Sequence, residues 1–223
     1  MNLRLLQLGD SALPIGGYSH SWGLEATIDH GDVCDALTLE GWVRLWLCYS
    51  SGPCEGVVVA AVCRAATEAD WPLVAVANDL LDATVVPTTL RHASREMGEQ
   101  LLSLADSWAW AAPAVAELRA ASAGPWHHAP VFATLAATAG ATPIDALLVY
   151  LHQAALGVIG AGVRAIPIGH THGQQVLSRL HDDIRDLAEE LADRALDTAG
   201  SFCPAYEVIC DAQSHLYTRL FRS

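Results

Sequence analysis

A helix that is apolar on every side has to be surrounded by other helices, and this chain contains a clear candidate for one. Thr142-Pro143 supplies an N-cap and a first-turn proline. Leu147, Leu148, Leu151 and Leu156 then recur on one face, and residues 154–165 are apolar almost all round. Such a segment belongs at the centre of a fold, with Gly157, Gly160 and Gly162 letting a neighbouring helix come close. Elsewhere Ala and Leu dominate, and both favour helix. No stretch alternates strongly enough to mark a strand; Val57-Val58-Val59 and Val85-Val86 are β-branched but short. No repeat of 20 to 50 residues is visible. The expected class is all-α: one domain over residues 1–223, with about ten helices.

Punctuation along the chain divides it further. Residues 11–19 read as a loop broken by Pro14, Gly16 and Gly17. Ser19 or Ser21 would cap a helix to about Asp29, ended by Gly31, and Thr38 would cap the next, carrying Leu39, Trp42, Val43, Trp46 and Leu47. Gly52-Pro53 would separate it from a helix over 55–67. Further helices are expected over 70–83, from Pro87 to about Trp110, after Pro113, and over 130–139. Residues 174–199 form an amphipathic pattern with an acidic outer face, and 206–220 would be the last helix.

Composition excludes several functions. The 223 residues include 12 basic side chains, all Arg, against 25 acidic ones, a formal charge of -13. So acidic a chain is a poor partner for nucleic acid or an anionic membrane. Without lysine there is no P-loop lysine, Schiff-base lysine or kinase-type lysine. The six cysteines form no CxxC pair, so a structural zinc site is not indicated. No secretory signal pattern opens the chain, and the longest apolar runs, such as 56–62, fall short of the roughly 20 residues of a spanning helix. The expected compartment is the reducing cytoplasm, with free thiols.

Three segments are too rich in special residues to be generic. The first is Ser11-Ala-Leu-Pro14-Ile-Gly16-Gly17-Tyr18-Ser19-His20-Ser-Trp22-Gly23-Leu24-Glu25. The second is Gly162-Val-Arg164-Ala-Ile-Pro167-Ile-Gly169-His-Thr-His-Gly173-Gln174, and the third closes the chain as Tyr217-Thr-Arg219-Leu220-Phe221-Arg222-Ser223. A chain end normally frays, so apolar and basic residues kept there suggest that something holds them. In order and spacing the three segments resemble the urease accessory protein UreF family from about Leu3 to Ser223, with only general similarity over residues 57–126.

The resemblance implies a non-catalytic, cytoplasmic maturation factor. It would bridge a scaffold protein of the UreD or UreH type and the nickel-carrying GTPase UreG, and so regulate nickel delivery to apo-urease. A homodimer by two-fold symmetry is expected. The partner-binding residues it implies are Ser11, Pro14, Gly16, Gly17, Ser19, His20, Arg164, Pro167, Gly169, Gln174, Tyr217, Arg219, Leu220, Phe221, Arg222 and Ser223. No catalytic residue and no resident cofactor are expected. His170 stands where the family often has Gln. His170 and His172, two apart, would chelate on an extended backbone but not on a helix. They are the weak metal candidates, for transient contact with nickel, against a blander reading as helix-capping histidines.

Other readings stay open from the residues alone. A catalytic loop around Ser11–His20 would need a third orienting group and an oxyanion hole, and no GxSxG is present. Trp126-His127-His128 would be either a partner hot spot or a loop anchored in the core. Arg91 and Arg95 share a helix face, as an arginine finger or as a solvated charged face. Cys203 and Cys210 are by default buried free thiols. The last residues would either insert into a partner or pack on their own core through Leu220 and Phe221. The functional rivals are a helical scaffold unrelated to nickel and an all-α hydrolase using His20 or His170.

Overall fold

The computed structural model describes residues 2–223, and among them every regular element is helical. Twelve α-helical segments follow one another: α1 Leu3–Leu8, α2 Leu24–Asp29, α3 Ala36–Trp46, α4 Val57–Thr67, α5 Trp71–Thr84, α6 Thr88–Ala105, α7 Ala112–Ala121, α8 His128–Thr138, α9 Pro143–Ala165, α10 His170–Arg179, α11 His181–Leu191 and α12 Pro204–Gln213. The all-α expectation stands. α9 is the central helix; it is capped by a reciprocal Thr142–Asp145 box and packs against α2, α3, α4, α8, α10 and α11. By length and composition alone, α9 and the rod of residues 36–67 would suffice to span a bilayer, beyond what the short apolar runs suggested. In the fold that apolar surface is spent on helix packing: Val57, Val58, Val59 and Val62 of α4 and Val131, Phe132 and Leu135 of α8 are wholly or almost wholly enclosed.

Several boundaries differ from the sequence reading, each for a local reason. Gly52-Pro53 does not break the chain. α3 and α4 are joined through a π-helical segment, Leu47–Gly56, with Pro53 inside it. Wider π turns accommodate a residue without an N–H better than an α-helix interior does. Asp35, not Thr38, is the N-cap of α3, with Thr38 completing the box at N3. α6 ends at Ala105, short of Trp110. α8 begins two residues before Pro130, because His127 and Trp126 are already locked inside. The 174–199 pattern is two helices with a break at Leu180, so α10 and α11 can turn against α9 separately. α12 stops at Gln213, leaving 214–223 non-helical.

Of the three glycines on α9, one serves as expected. A Cβ at Gly162 would collide with the Leu39 side chain, 2.7 Å away, whereas Gly157 and Gly160 meet nothing within 4 Å and face open space. Close packing falls instead on Gly98, where a Cβ would enter the backbone of Trp126 and His127. Polar ties join the layers. Glu40 accepts from Arg44 at 3.0 Å and from Arg179 at 2.5 Å, and Arg44 reaches Asp183 at 3.1 Å, linking α3 to α10 and α11.

Candidate interaction site at the loop and tail

The first and third distinctive segments meet in space. After the left-handed turn at Gly16, φ +82°, a short 3-10 turn over Gly17–Ser19 carries the chain to His20 and Ser21. That φ is open to glycine and strained for other residues. The last residues dock against this turn. The Ser223 carbonyl oxygen accepts from the backbone N–H groups of Ser21 (2.5 Å) and Trp22 (3.1 Å) and from Ser21 Oγ (2.9 Å). His20 Nδ1 and Ser223 Oγ lie 2.8 Å apart, and Arg222 N–H donates to the Ser19 carbonyl at 2.8 Å. From α2, the buried Glu25 carboxylate accepts from the N–H groups of Leu220 (2.5 Å) and Phe221 (3.2 Å).

The central segment adds one residue. Arg164, in the last turn of α9, lies with its guanidinium 3.6 Å from the Tyr18 ring centre and 4.6 Å from that of Phe221. It is a cationic filling between an aromatic of the loop and one of the tail. Arg222 reaches Glu96 on α6 at 2.9 Å. Neither single picture of the chain end is complete: it is not helical, Phe221 is buried at 4% exposure, and Leu220 projects outward at 73%. Tyr217 is fully exposed and Tyr18 is 76% exposed, so the junction is internally tied and outwardly apolar.

The other proposed partner residues lie around it or elsewhere. Ser11, Pro14 and Arg219 are exposed and Ser19 and Gly17 half-buried, with Ser19 Oγ donating to the Gly16 carbonyl at 2.8 Å. Pro167, Gly169 and Gln174 are exposed at the start of α10, without a hydrogen bond to loop or tail among the described residues. His170 and His172 occupy the first turn of α10, so on a helix they point about 200° apart. The His172 Nδ1 accepts from the Gly169 N–H at 3.3 Å. That is the capping geometry, and two rings so directed do not share an ion.

Beneath the loop lies a cavity of about 550 Å³, lined by residues 10–18 on one side and by Trp46, Glu55, His128, Tyr150, Gln153, Gly157 and Gly160 on the other. Burial shifts two of its titratable groups toward their uncharged forms. Burial pushes the Glu55 carboxyl up, against the stabilising hydrogen bonds from Ser51 and Tyr150. Burial likewise takes His128 down to about 4. Glu55 escaped sequence reading because it stands at the start of the helix expected over 55–67; the π segment carries it inward to the cavity.

The remaining candidates are structural. Trp126 is 1% exposed, and its backbone N–H donates to Glu99 at 2.6 Å. His127 is clasped by Ser94 at 3.0 Å and Asp82 at 3.3 Å. Arg95 pairs with Asp82, and Arg91 donates to the Val85 carbonyl at 2.9 Å, so both arginines brace the α5–α6 corner. Cys210 is a buried free thiol raised to about 12 by burial, and Cys203 is a half-buried free thiol. Among the described residues no three His, Cys, Asp or Glu side chains are gathered to hold an ion.

The UreF family model matches residues 33–181. A urease accessory protein UreF from Cupriavidus taiwanensis is 34% identical over 99% of this chain and 97% of its own length. One from a Nostoc species is 34% identical over 99% and 95%, and one from an Arthrobacter species 30% identical over 99% and 96%. With a family match over more than half its length and full-length relatives of this identity, the chain belongs to the UreF family of urease accessory proteins.

Proposed function

We propose that the chain is a non-catalytic cytoplasmic adaptor of urease maturation. It bridges a UreD- or UreH-type scaffold and the UreG GTPase, regulates delivery of nickel to apo-urease, and works as a two-fold homodimer. Nickel is its cargo and no resident cofactor is needed. The observation that carries this reading is the loop–tail junction. Exposed Tyr18 and Leu220 stand on backbone fixed by Glu25, Ser21 and Ser19, with exposed Tyr217 beside them. Aromatic anchors on a preorganised backbone are what a binding hot spot requires, because little ordering is left to be done on association. The proposed partner surface is Ser11, Pro14, Gly16, Gly17, Ser19, His20, Arg164 and residues 217–223, with Pro167, Gly169 and Gln174 as a second exposed patch.

The hydrolase alternative has little to stand on at this junction. His20 and Ser223 are in hydrogen-bond reach, but both are buried and no carboxylate orients the ring among the described residues. A nucleophile needs an accessible oxygen and an oriented base. The plain-scaffold alternative predicts self-association without affinity for urease factors. Co-purification with the scaffold and the GTPase, followed by light scattering, decides among them. The expected result is a stable ternary complex; a folded chain that captures neither active partner overturns the proposal.

A further inference from the structure

His152 on α9 and His181 at the start of α11 face each other, with ring centres 6.0 Å apart and planes inclined by 34°. An imidazole binds a divalent transition metal through one ring nitrogen at about 2.0–2.1 Å, which places two rings on one ion about 4.5–5.2 Å apart, centre to centre, at octahedral or tetrahedral angles. The observed pair is about 1 Å wider than that, a gap that side-chain rotation closes without movement of either helix.

Two further features fit a metal. His20 is committed to Ser223 and His127 to Ser94 and Asp82, whereas neither His152 nor His181 is so engaged among the described residues. The two rings open onto a groove of about 360 Å³ walled by Leu6, Gly9, Leu148, Val149 and Ile184. That wall has no carboxylate or amine to compete for the rings. Gly9 permits it, since a Cβ there would come within 2.7 Å of Val149 Cγ1.

We propose that His152 and His181 form a two-imidazole site for a divalent transition metal ion of the nickel or zinc type, with water in the remaining positions. Both ligands sit on packed helices, so the pair is held in place in a way that His170 and His172, diverging on α10, are not. Imidazole selects these ions over magnesium or calcium, which prefer oxygen. The site shares no lining residue with the cavity under the loop and does not depend on the adaptor role.

The test is isothermal titration of the full chain with nickel chloride alone and zinc chloride alone. It compares wild type, His152→Gln, His181→Gln and a His170→Ala, His172→Ala double variant. The tightest site should be present in wild type and in the double variant, and weakened at least tenfold in each single variant. A second readout is thermal melting. The two ligands are far apart in sequence and meet only in the folded chain, so metal should raise the wild-type Tm and leave the single variants unmoved. His181 is exposed, so His181→Gln should fold even if His152→Gln does not. A tight site that survives His181→Gln, is lost instead in the double variant, or is missing from wild type overturns the proposal.

Discussion

The slab where α4 meets α8 and the junction where the chain end meets residues 16–25 are held together by different physics. In the slab, Val57, Val58, Val59, Val131, Phe132 and Leu135 touch nothing but other side chains and helix backbone. Many small dispersion contacts add there, and no single geometry is demanded. At the junction, Phe221 is the one large apolar anchor among the last residues, and a set of directed hydrogen bonds to Ser21, Trp22, Ser19 and Glu25 does the rest. The slab supplies stability. The junction supplies a fixed orientation for exposed side chains.

The largest effect should come from the slab. Phe132→Ala empties a fully enclosed ring that lies edge-on to Tyr150 at 5.3 Å. A loss of about 3–5 kcal/mol is expected from such a truncation, read as a lower denaturant midpoint with an unchanged m-value. Partner binding by the fraction that remains folded should be normal. A change in partner affinity larger than the change in folded fraction would erase the division between the two regions.

The second effect is acid sensitivity, and it comes from the edge of the slab. His128 is enclosed between Phe132 and Tyr150, and burial lowers it from 6.5 to about 4. The unfolded chain binds this proton first, so stability is complete above about pH 6.5 and declines as the pH falls toward 4. The full shift corresponds to about 3 kcal/mol. His20 and His127, also lowered chiefly by burial, act in the same direction. Glu55 acts oppositely. Its raised pKa favours the folded state at low pH, and that advantage is lost as the pH rises above the ordinary carboxyl range. Replacing His128 by Phe should flatten the acid limb of a Tm-against-pH curve, whereas Glu55→Gln should raise the neutral limb. An unchanged acid limb in the His128 variant would remove His128 from the account.

Much of this was legible beforehand because periodicity and capping report on burial. α9 follows from its all-round apolar stretch, its Thr142 cap and Pro143, and α5 from Asp70 and Pro72. Where the reading went astray, tertiary structure overrode a local signal. Pro53 reads as a breaker, yet the π segment absorbs it. The 174–199 pattern keeps one apolar face across Leu180, so nothing local shows the turn between α10 and α11. The site was legible only as three odd segments. That two of them dock, with Arg164 of the third between their rings, depends on pairings across some 200 residues that no spacing rule encodes.

The third prediction sharpens the junction itself. Glu25 holds two backbone N–H groups of the tail from a buried position. Glu25→Gln replaces one accepting oxygen by a donor and leaves one N–H facing another, at a cost of about 1–3 kcal/mol. The expected signature is local: faster amide exchange at Leu220, Phe221 and Arg222, with exchange in α4 and α8 unaltered. If α4 and α8 lose protection together with the tail, the junction is part of the same cooperative unit as the slab, and the contrast drawn above fails.

The smallest effect on stability should be the most informative about function. Tyr217 and Leu220 project from the strap into solvent. Tyr217→Ala and Leu220→Ala remove no buried contact, so each should change stability by less than about 0.5 kcal/mol. Truncating the last four residues is a blunter instrument. It also removes Phe221 from the core and Ser223 from Ser21, so loss of a partner would be confounded with loss of the strap. The two point variants separate those causes. If the strap exists to present these side chains, scaffold capture in the light-scattering assay should drop at least tenfold at unchanged Tm, because an anchor truncated at a hot spot costs 2 kcal/mol or more, roughly. Full capture by both variants would mean that the tail matters for fastening the residue 16–25 turn, and that the partner reads the turn instead.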